Sequence, residues 1–175
     1  NEKLKIVTHH WGTNMNKGFE VYKKIDKILE DLGDSSYFSF TFIGNLPKNV
    51  KFKNIEVIDP IEQIKVGEVL KKYNLYLTAS INEPSGNHHI EAMSCGLPVM
   101  YIESGGTTEY CEDYGIKYSE SNVEDKIKHV WENYKDYAEK VKHYKFNSDM
   151  MCQEYLNLFK KTNKKESFIE DKHSI

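Results

Sequence analysis

Apolar residues fall along this chain in two alternating rhythms. LKIVTHH (residues 4–10) reads as a strand. After a polar loop, WGTNMN, the residues Phe19, Tyr22, Ile25, Ile28, Leu29 and Leu32 recur at spacings of three and four. That period predicts a helix over 18–32 with one buried face. FSFTFIG (38–44) is aromatic and β-branched and predicts a second strand stopped by glycine, and IEVID predicts a third, ended by Asp59-Pro60. EQIKVGEVLKKY predicts an amphipathic helix, LYLTAS (75–80) a buried strand, GNHHIEAMSC a short helix, LPVMYIE (97–103) another buried strand and IKYS a weak one. From Asn122 onward the pattern is helical. Ile127, Val130, Trp131, Tyr134, Tyr137 and Val141 form one apolar series, and Met150, Met151, Tyr155, Leu156 and Phe159 form another. These side chains are expected in the core or on a surface that packs against a further domain. Residues 161–175 are polar, with no clear apolar face, and predict a flexible tail behind a folded unit of residues 1–160.

Strands alternating with helices, several of them continuously apolar, predict an α/β fold: a doubly wound, Rossmann-like parallel sheet covered on both faces, with a helical C-terminal end. In such sheets ligands bind outside the carboxyl ends of the strands, where the strand order reverses. The loops to inspect are therefore 9–17, 44–47, 59–62, 80–89 and 104–108.

Composition adds exclusions more than it adds function. With 39% hydrophobic and 29% charged residues and a net charge of −3, the 175 residues suit one globular domain with no global attraction to nucleic acid or anionic membrane. No apolar run approaches the ~18–20 residues of a membrane span. Cys95, Cys111 and Cys152 share no C-x-x-C spacing, which argues for a reducing, cytoplasmic setting and against a zinc site. The chain enters a strand within three residues and has no initiator methionine, as expected of a piece of a longer protein.

One loop carries candidate chemistry. In NEPSGNHHIEAMSCGLPVM, Glu83 and Glu91 flank seven residues. If the helix starts near Gly86, free N–H groups on Gly86, Asn87 and His88, with the positive end of the helix, form a seat for phosphate. Glu91 then lies roughly 7 Å further along, at 1.5 Å per residue, its carboxylate leaning back toward the seat. A carboxylate does not bind phosphate, but its two oxygens accept from vicinal hydroxyls such as those of a ribose. Glu83, on the preceding loop, can reach hydroxyls on the other side. Sugar, diphosphate and ribose in that order describe a nucleotide-sugar. A glutamate early in a helix is also simply favourable to the dipole, so this spacing alone decides little.

The wider context decides more. The stretch resembles the E-x7-E signature of retaining glycosyltransferases of family 4, which have the two-domain GT-B fold. NKGFEVY resembles the lysine-glycine motif that opens the first helix of their donor domain, FTFIGNLP its second strand and turn, GGTTEY its G-G-x-x-E segment, and MMCQEYLNLF its closing helix. The resemblance implies the C-terminal, donor-binding half of such an enzyme, the acceptor being held by an N-terminal domain. It implies a hexosyl transfer from a UDP- or GDP-sugar with no metal and no cofactor. Lys17 would neutralise the departing diphosphate together with backbone N–H groups of residues 86–88, Glu83 would hold the donor sugar, and Glu91 would hold the ribose. Ser85 and Asn87, where the family carries apolar residues, make the pocket floor more polar. The family's arginine before the lysine is replaced by Trp11 or Gly12, and His10, when protonated, would substitute for it in part. Adjacent histidines at 9–10 and 88–89 lack metal-ligand spacing. Such a fragment alone is expected to bind donor and to be weakly active at most. A full-length protein could still be peripheral to a membrane. The competing readings are half of a sugar-nucleotide epimerase, or a non-catalytic nucleotide-sugar-binding module.

Overall fold

The computed structural model describes residues 2–84 and 86–170, with side chains through residue 162. Six parallel strands lie in the order β3-β2-β1-β4-β5-β6. They are β1 (Leu4–His10), β2 (Phe38–Gly44), β3 (Glu56–Ile58), β4 (Leu75–Thr78), β5 (Val99–Ile102) and β6 (Ile116–Tyr118). Helices α1 (Phe19–Leu32), α2 (Val66–Leu70), α3 (His88–Ser94), α4 (Thr107–Cys111), α5 (Val123–Glu132) and α6 (Tyr134–Val141) follow in chain order. The sheet is the predicted Rossmann-like one. Its strand order runs outward from β1 through β2 to β3, then returns to the other side of β1 with β4. The reversal therefore lies between β1 and β4, and the loops leaving those two strands face each other.

Side-chain alternation along the strands sorts residues between the faces. Leu4 and Ile6, Phe38, Phe40 and Phe42, and Leu75 and Leu77 join Phe19, Tyr22 and Ile25 of α1 and Val123, Ile127 and Val130 of α5 in one buried cluster. Val7, Ile43, Tyr76 and Val99 are also fully buried, with the alternate side-chain direction. The same alternation sends neighbouring His9 and His10 in opposite directions, which decides their partners below.

Two expectations need correction. The helix predicted from Gly86 begins at His88, where Glu91 N–H makes its first turn bond to Asn87 O at 2.8 Å. Gly86 stays in the preceding loop, where no side chain fits: a Cβ there would lie 2.7 Å from His88 Cε1 and 2.8 Å from Glu83 Cγ. The single helix predicted around residues 62–73 is a 3-10 turn, Gln63–Lys65, followed by the one-and-a-half-turn α2, in which Gly67 lowers helix propensity.

The chain divides into two units, residues 1–144 and 145–175. The second is built on α7 (Ser148–Glu170), whose start is capped by Asn147 Oδ1 accepting from Met150 N–H at 2.9 Å. Residues 161–170 of the polar stretch are thus helical, while 171–175 lie outside the described residues. Met151, Tyr155, Leu156 and Phe159 are exposed rather than core. Tyr155 and Phe159, one turn apart, stack on each other with ring centres 6.4 Å apart.

Gly18 joins the turn Met15–Lys17 to α1 at φ +79°, and a Cβ on it would sit 2.1 Å from Ala79 O. Gly18→Ala is expected to lose about 3 kcal/mol through left-handed strain and displacement of the β4 exit. Urea unfolding of the variant beside the parent chain measures this.

Candidate functional site

Lys17 reaches the crevice because its own loop is fixed at both ends. Asn14 Oδ1 accepts from Asn16 N–H at 3.0 Å and caps the turn, and Gly18 N–H closes it on Met15 O at 3.0 Å. From across the strand reversal, Ile81 N–H donates to Asn16 O at 2.8 Å. That bond ties the loop after β1 to the loop after β4, which carries Glu83.

Glu83 is set from a third direction. Gly106 N–H donates to Glu83 O at 2.8 Å, and Asn82, at φ +54°, donates its N–H to Ser104 Oγ at 2.7 Å. A Cβ on Gly105 would lie 2.3 Å from Glu83 O, and one on Gly106 2.3 Å from Pro84 O. The paired glycines after β5 are there because the Glu83-Pro84 backbone rests directly on them. Lys17 Nζ then meets Glu83 Oε2 at 2.6 Å, with both side chains part-buried.

Glu91, three residues into α3, is held by two partners that sequence spacing does not reveal. His9 Nε2 lies 3.1 Å from Oε2, and Gln63 Nε2 donates to Oε1 at 2.8 Å. Its carboxyl is held below the ordinary carboxylate value, chiefly by the hydrogen bond from His9 against the opposing effect of burial. These residues, with Trp11, Gly86, Asn87 and His88, enclose a cleft of about 570 Å3 at the carboxyl ends of β1 and β4. Of the predicted site residues, the structure brings together Lys17, Glu83, Glu91, Gly86, Asn87, His88 and His10, while Ser85 lies outside the described residues.

His10 differs in character from the sequence reading. It is 3% exposed, with Nε2 2.7 Å from Tyr22 Oη and 3.2 Å from Thr8 Oγ1. Burial, then the neighbouring His9 and Lys17, pushes its pKa well below the usual imidazole value. A protonated His10 is therefore not the substitute for an arginine. Burial likewise lowers His88, reinforced by the other histidines, and it takes His89 down to about 4. At neutral pH the cleft thus holds Lys17 and two carboxylates, with His10 and His88 uncharged in its wall.

Residues missed from sequence were His9, Gln63 and Trp11. Trp11 carries its indole, 38% exposed, 5.6 Å from the His9 ring, and Asn45 Nδ2 fixes its carbonyl at 2.9 Å. The only advance signal for these was their place on loops leaving the strands. Among the described residues, no group of three or more His, Cys, Asp or Glu side chains is arranged to hold a metal ion. A second cleft, of about 610 Å3, lies at the amino end of β1 against residues 131–136. It is the larger of the two, but it faces away from the strand reversal and gathers no comparable set of converging groups.

Residues 38–153 match the family model described as glycosyl transferases group 1. The chain belongs to that family. Among curated relatives of this group 1 domain, the phosphatidylinositol N-acetylglucosaminyltransferase GPI3 subunit of Saccharomyces cerevisiae is 28% identical over 116 residues, 60% of this chain and 25% of the relative. The Schizosaccharomyces pombe gpi3 subunit is 24% identical over 115 residues, 58% of this chain and 25% of the relative. The chain therefore spans about a quarter of the length of the curated relatives it matches. Among solved structures, Anabaena HepE in complex with UDP and glucose superposes with a TM-score of 0.71 at 15% identity, over 91% of this chain and 49% of HepE. The C-terminal domain of LpcC, a group 1 glycosyltransferase from Francisella tularensis, gives 0.64 at 17% identity over 82% of each chain. At these identities the structural likeness establishes the fold, that of the C-terminal domain of GT-B glycosyltransferases.

The neutral histidines make the group 1 domain sensitive to acid. A histidine whose folded pKa lies below its unfolded value leaves stability intact above about pH 6.5 and loses it as pH falls and the unfolded chain takes up the proton first. For His89, with a folded value of about 4, the loss between pH about 7 and about 4 is about 3 kcal/mol at 1.36 kcal/mol per pKa unit. His10 and His88 act in the same direction. Urea midpoints measured across that range should fall steadily, and the fall should shrink in His89→Leu.

Proposed function

We propose that this chain is the donor-binding domain of a retaining glycosyltransferase of family 4, which transfers a hexosyl group from a nucleoside-diphosphate sugar. The observation carrying this reading is the convergence of Lys17, Glu83 and Glu91, from separate segments, on one cleft at the strand reversal. The donor's diphosphate lies against Lys17. Breaking the anomeric C–O bond moves its electron pair onto that diphosphate, and the lysine stabilises the growing charge. Glu83 holds hydroxyls of the transferred sugar and supports positive character at the anomeric carbon. The acceptor attacks from the face the leaving group vacates, so configuration is retained. Glu91 accepts from the ribose hydroxyls. A carboxylate offers about four lone-pair sites, so those committed to His9 and Gln63 leave room for them, and the two partners aim it.

Of the two nucleotides, UDP is favoured, because HepE is described in complex with UDP and glucose. The acceptor is held by an N-terminal domain, and residues 1–160 alone bind donor with little or no transfer. The leaving charge is met by protein groups, so donor binding needs no metal and survives EDTA. No described helix is long and apolar enough to cross a membrane. A full-length protein is cytoplasmic in this reading, and the GPI3 relatives, named for a phosphatidylinositol acceptor, support a membrane-peripheral setting.

Calorimetric titration with UDP, GDP, ADP and their sugar conjugates tests the reading. One nucleotide should bind clearly best, and Lys17→Ala should weaken it by roughly ten- to a hundredfold, the worth of a charged hydrogen bond of about 1.5–3 kcal/mol. Glu83→Ala should leave nucleotide affinity nearly intact while abolishing transfer in a full-length enzyme. Unchanged transfer would refute the role given to Glu83, and binding by none of the nucleotides would favour a module that has lost its donor site.

A further inference from the structure

Two buried imidazoles in the cleft are wired to the core in the same way. Tyr22 Oη lies 2.7 Å from His10 Nε2 and accepts the backbone N–H of Ala79 at 3.2 Å. Thr78 Oγ1 lies 2.9 Å from His88 Nε2 and accepts the backbone N–H of Ser80, two residues on, at 3.3 Å. Each hydroxyl thus already takes a proton from the β4 exit, and its own proton needs an acceptor. For Thr78, the acceptor within reach among the described residues is His88 Nε2. For Tyr22 the alternative is Thr8 Oγ1, at 3.1 Å. That contact is the longer of the two, so the Tyr22 proton is assigned to a bare Nε2 at 2.7 Å, and the Thr8 proton turns to Tyr22 or to the nearby Tyr76 hydroxyl. Burial keeps both rings uncharged, so in each the single proton belongs on Nδ1.

We propose that Tyr22 and Thr78 are positioning residues that lock His10 and His88 as Nδ1–H tautomers, making a pair of neutral N–H donors for the phosphoryl oxygens of the donor. Both rings line the cleft, with centres 5.4 Å apart. Nδ1 of neither has a hydrogen-bond partner among the described residues. For His88 that edge faces Gly86, where a Cβ would come within 2.9 Å of Nδ1. The pair stands beside Lys17 and adds donors to the same cleft. The assignment to phosphoryl oxygens rests on the nucleotide-sugar reading above, whereas the tautomers do not.

The test is long-range proton–nitrogen NMR of the 15N-labelled chain at neutral pH, without and with UDP-glucose. Both rings should show a pyrrole-type Nδ1 and a pyridine-type Nε2. Tyr22→Phe should disturb that pattern for His10 alone, and Thr78→Val for His88 alone. UDP-glucose should shift the Nδ1 resonances of both. A protonated Nε2, or an averaged tautomer pair in the parent chain, would overturn the proposal without any variant. If calorimetry shows UDP-glucose bound while neither Nδ1 moves, the donor pair is refuted and the nucleotide-sugar reading stands. If the tautomers are as stated and no nucleotide binds, that reading fails and takes the phosphoryl assignment with it.

Discussion

The close approach of two backbones at the strand reversal is the constraint on which the rest of this molecule depends. Gly18 lies so near Ala79 that no side chain fits between them, and Ile81 N–H reaches across to Asn16 O. A parallel sheet separates the two loops leaving adjacent strands by only one strand spacing, about 4.8 Å. Such loops either diverge or interlock. Here they interlock, and the lysine of one is thereby delivered to the glutamate of the other. A third backbone, at Gly105-Gly106, props the glutamate loop from beneath. The site is rigid because three chain segments share one small volume in which glycine is required at each crossing.

That rigidity explains the electrostatics. Close packing at the carboxyl ends of β1 and β4 excludes water from His10, His88 and His89, and the cost of a buried charge keeps them neutral. In the donor-binding reading proposed above, Lys17, paired with Glu83, would exchange that partner for phosphate oxygens when a donor arrives. The exchange would release Glu83 toward the sugar, so that binding the leaving group and freeing the sugar-holding carboxylate would be the same event.

How much of this was legible in the sequence divides along the range of the forces involved. The strands β1, β2, β4 and β5 announce themselves because burial on both faces demands near-continuous apolar runs, and α1 does so because one face must be buried. Glu83 and Glu91 drew attention by their spacing after a strand, and Lys17 only through the family's lysine-glycine motif. The His9 and Gln63 bonds to Glu91 had no such signal, since they join residues 82 and 28 positions apart that only the strand order brings together. The start of α3 differs from the expected one because Gly86 looks locally like a helix opener, whereas in the fold it serves the loop, packed against the Glu83 and His88 side chains. His10 looked like a cation substitute because burial, which removes its charge, has no local signature.

The replacement of the expected arginine by Trp11 or Gly12 reads differently once burial is known. A guanidinium supplies charge and several donors together. The chain retains donors but not that charge, and donors of neutral imidazoles keep their strength only where water is excluded and their tautomer is fixed. In the tautomer assignment proposed above, two hydroxyls in the core, on Tyr22 and Thr78, would meet the second requirement, and the interlocked loops the first. On that reading the cleft would bind an anion less by long-range attraction than by fit. Added salt, which screens exposed charges beyond about 10 Å at 0.1 M, should therefore weaken binding here less than it would at a site with two exposed cations.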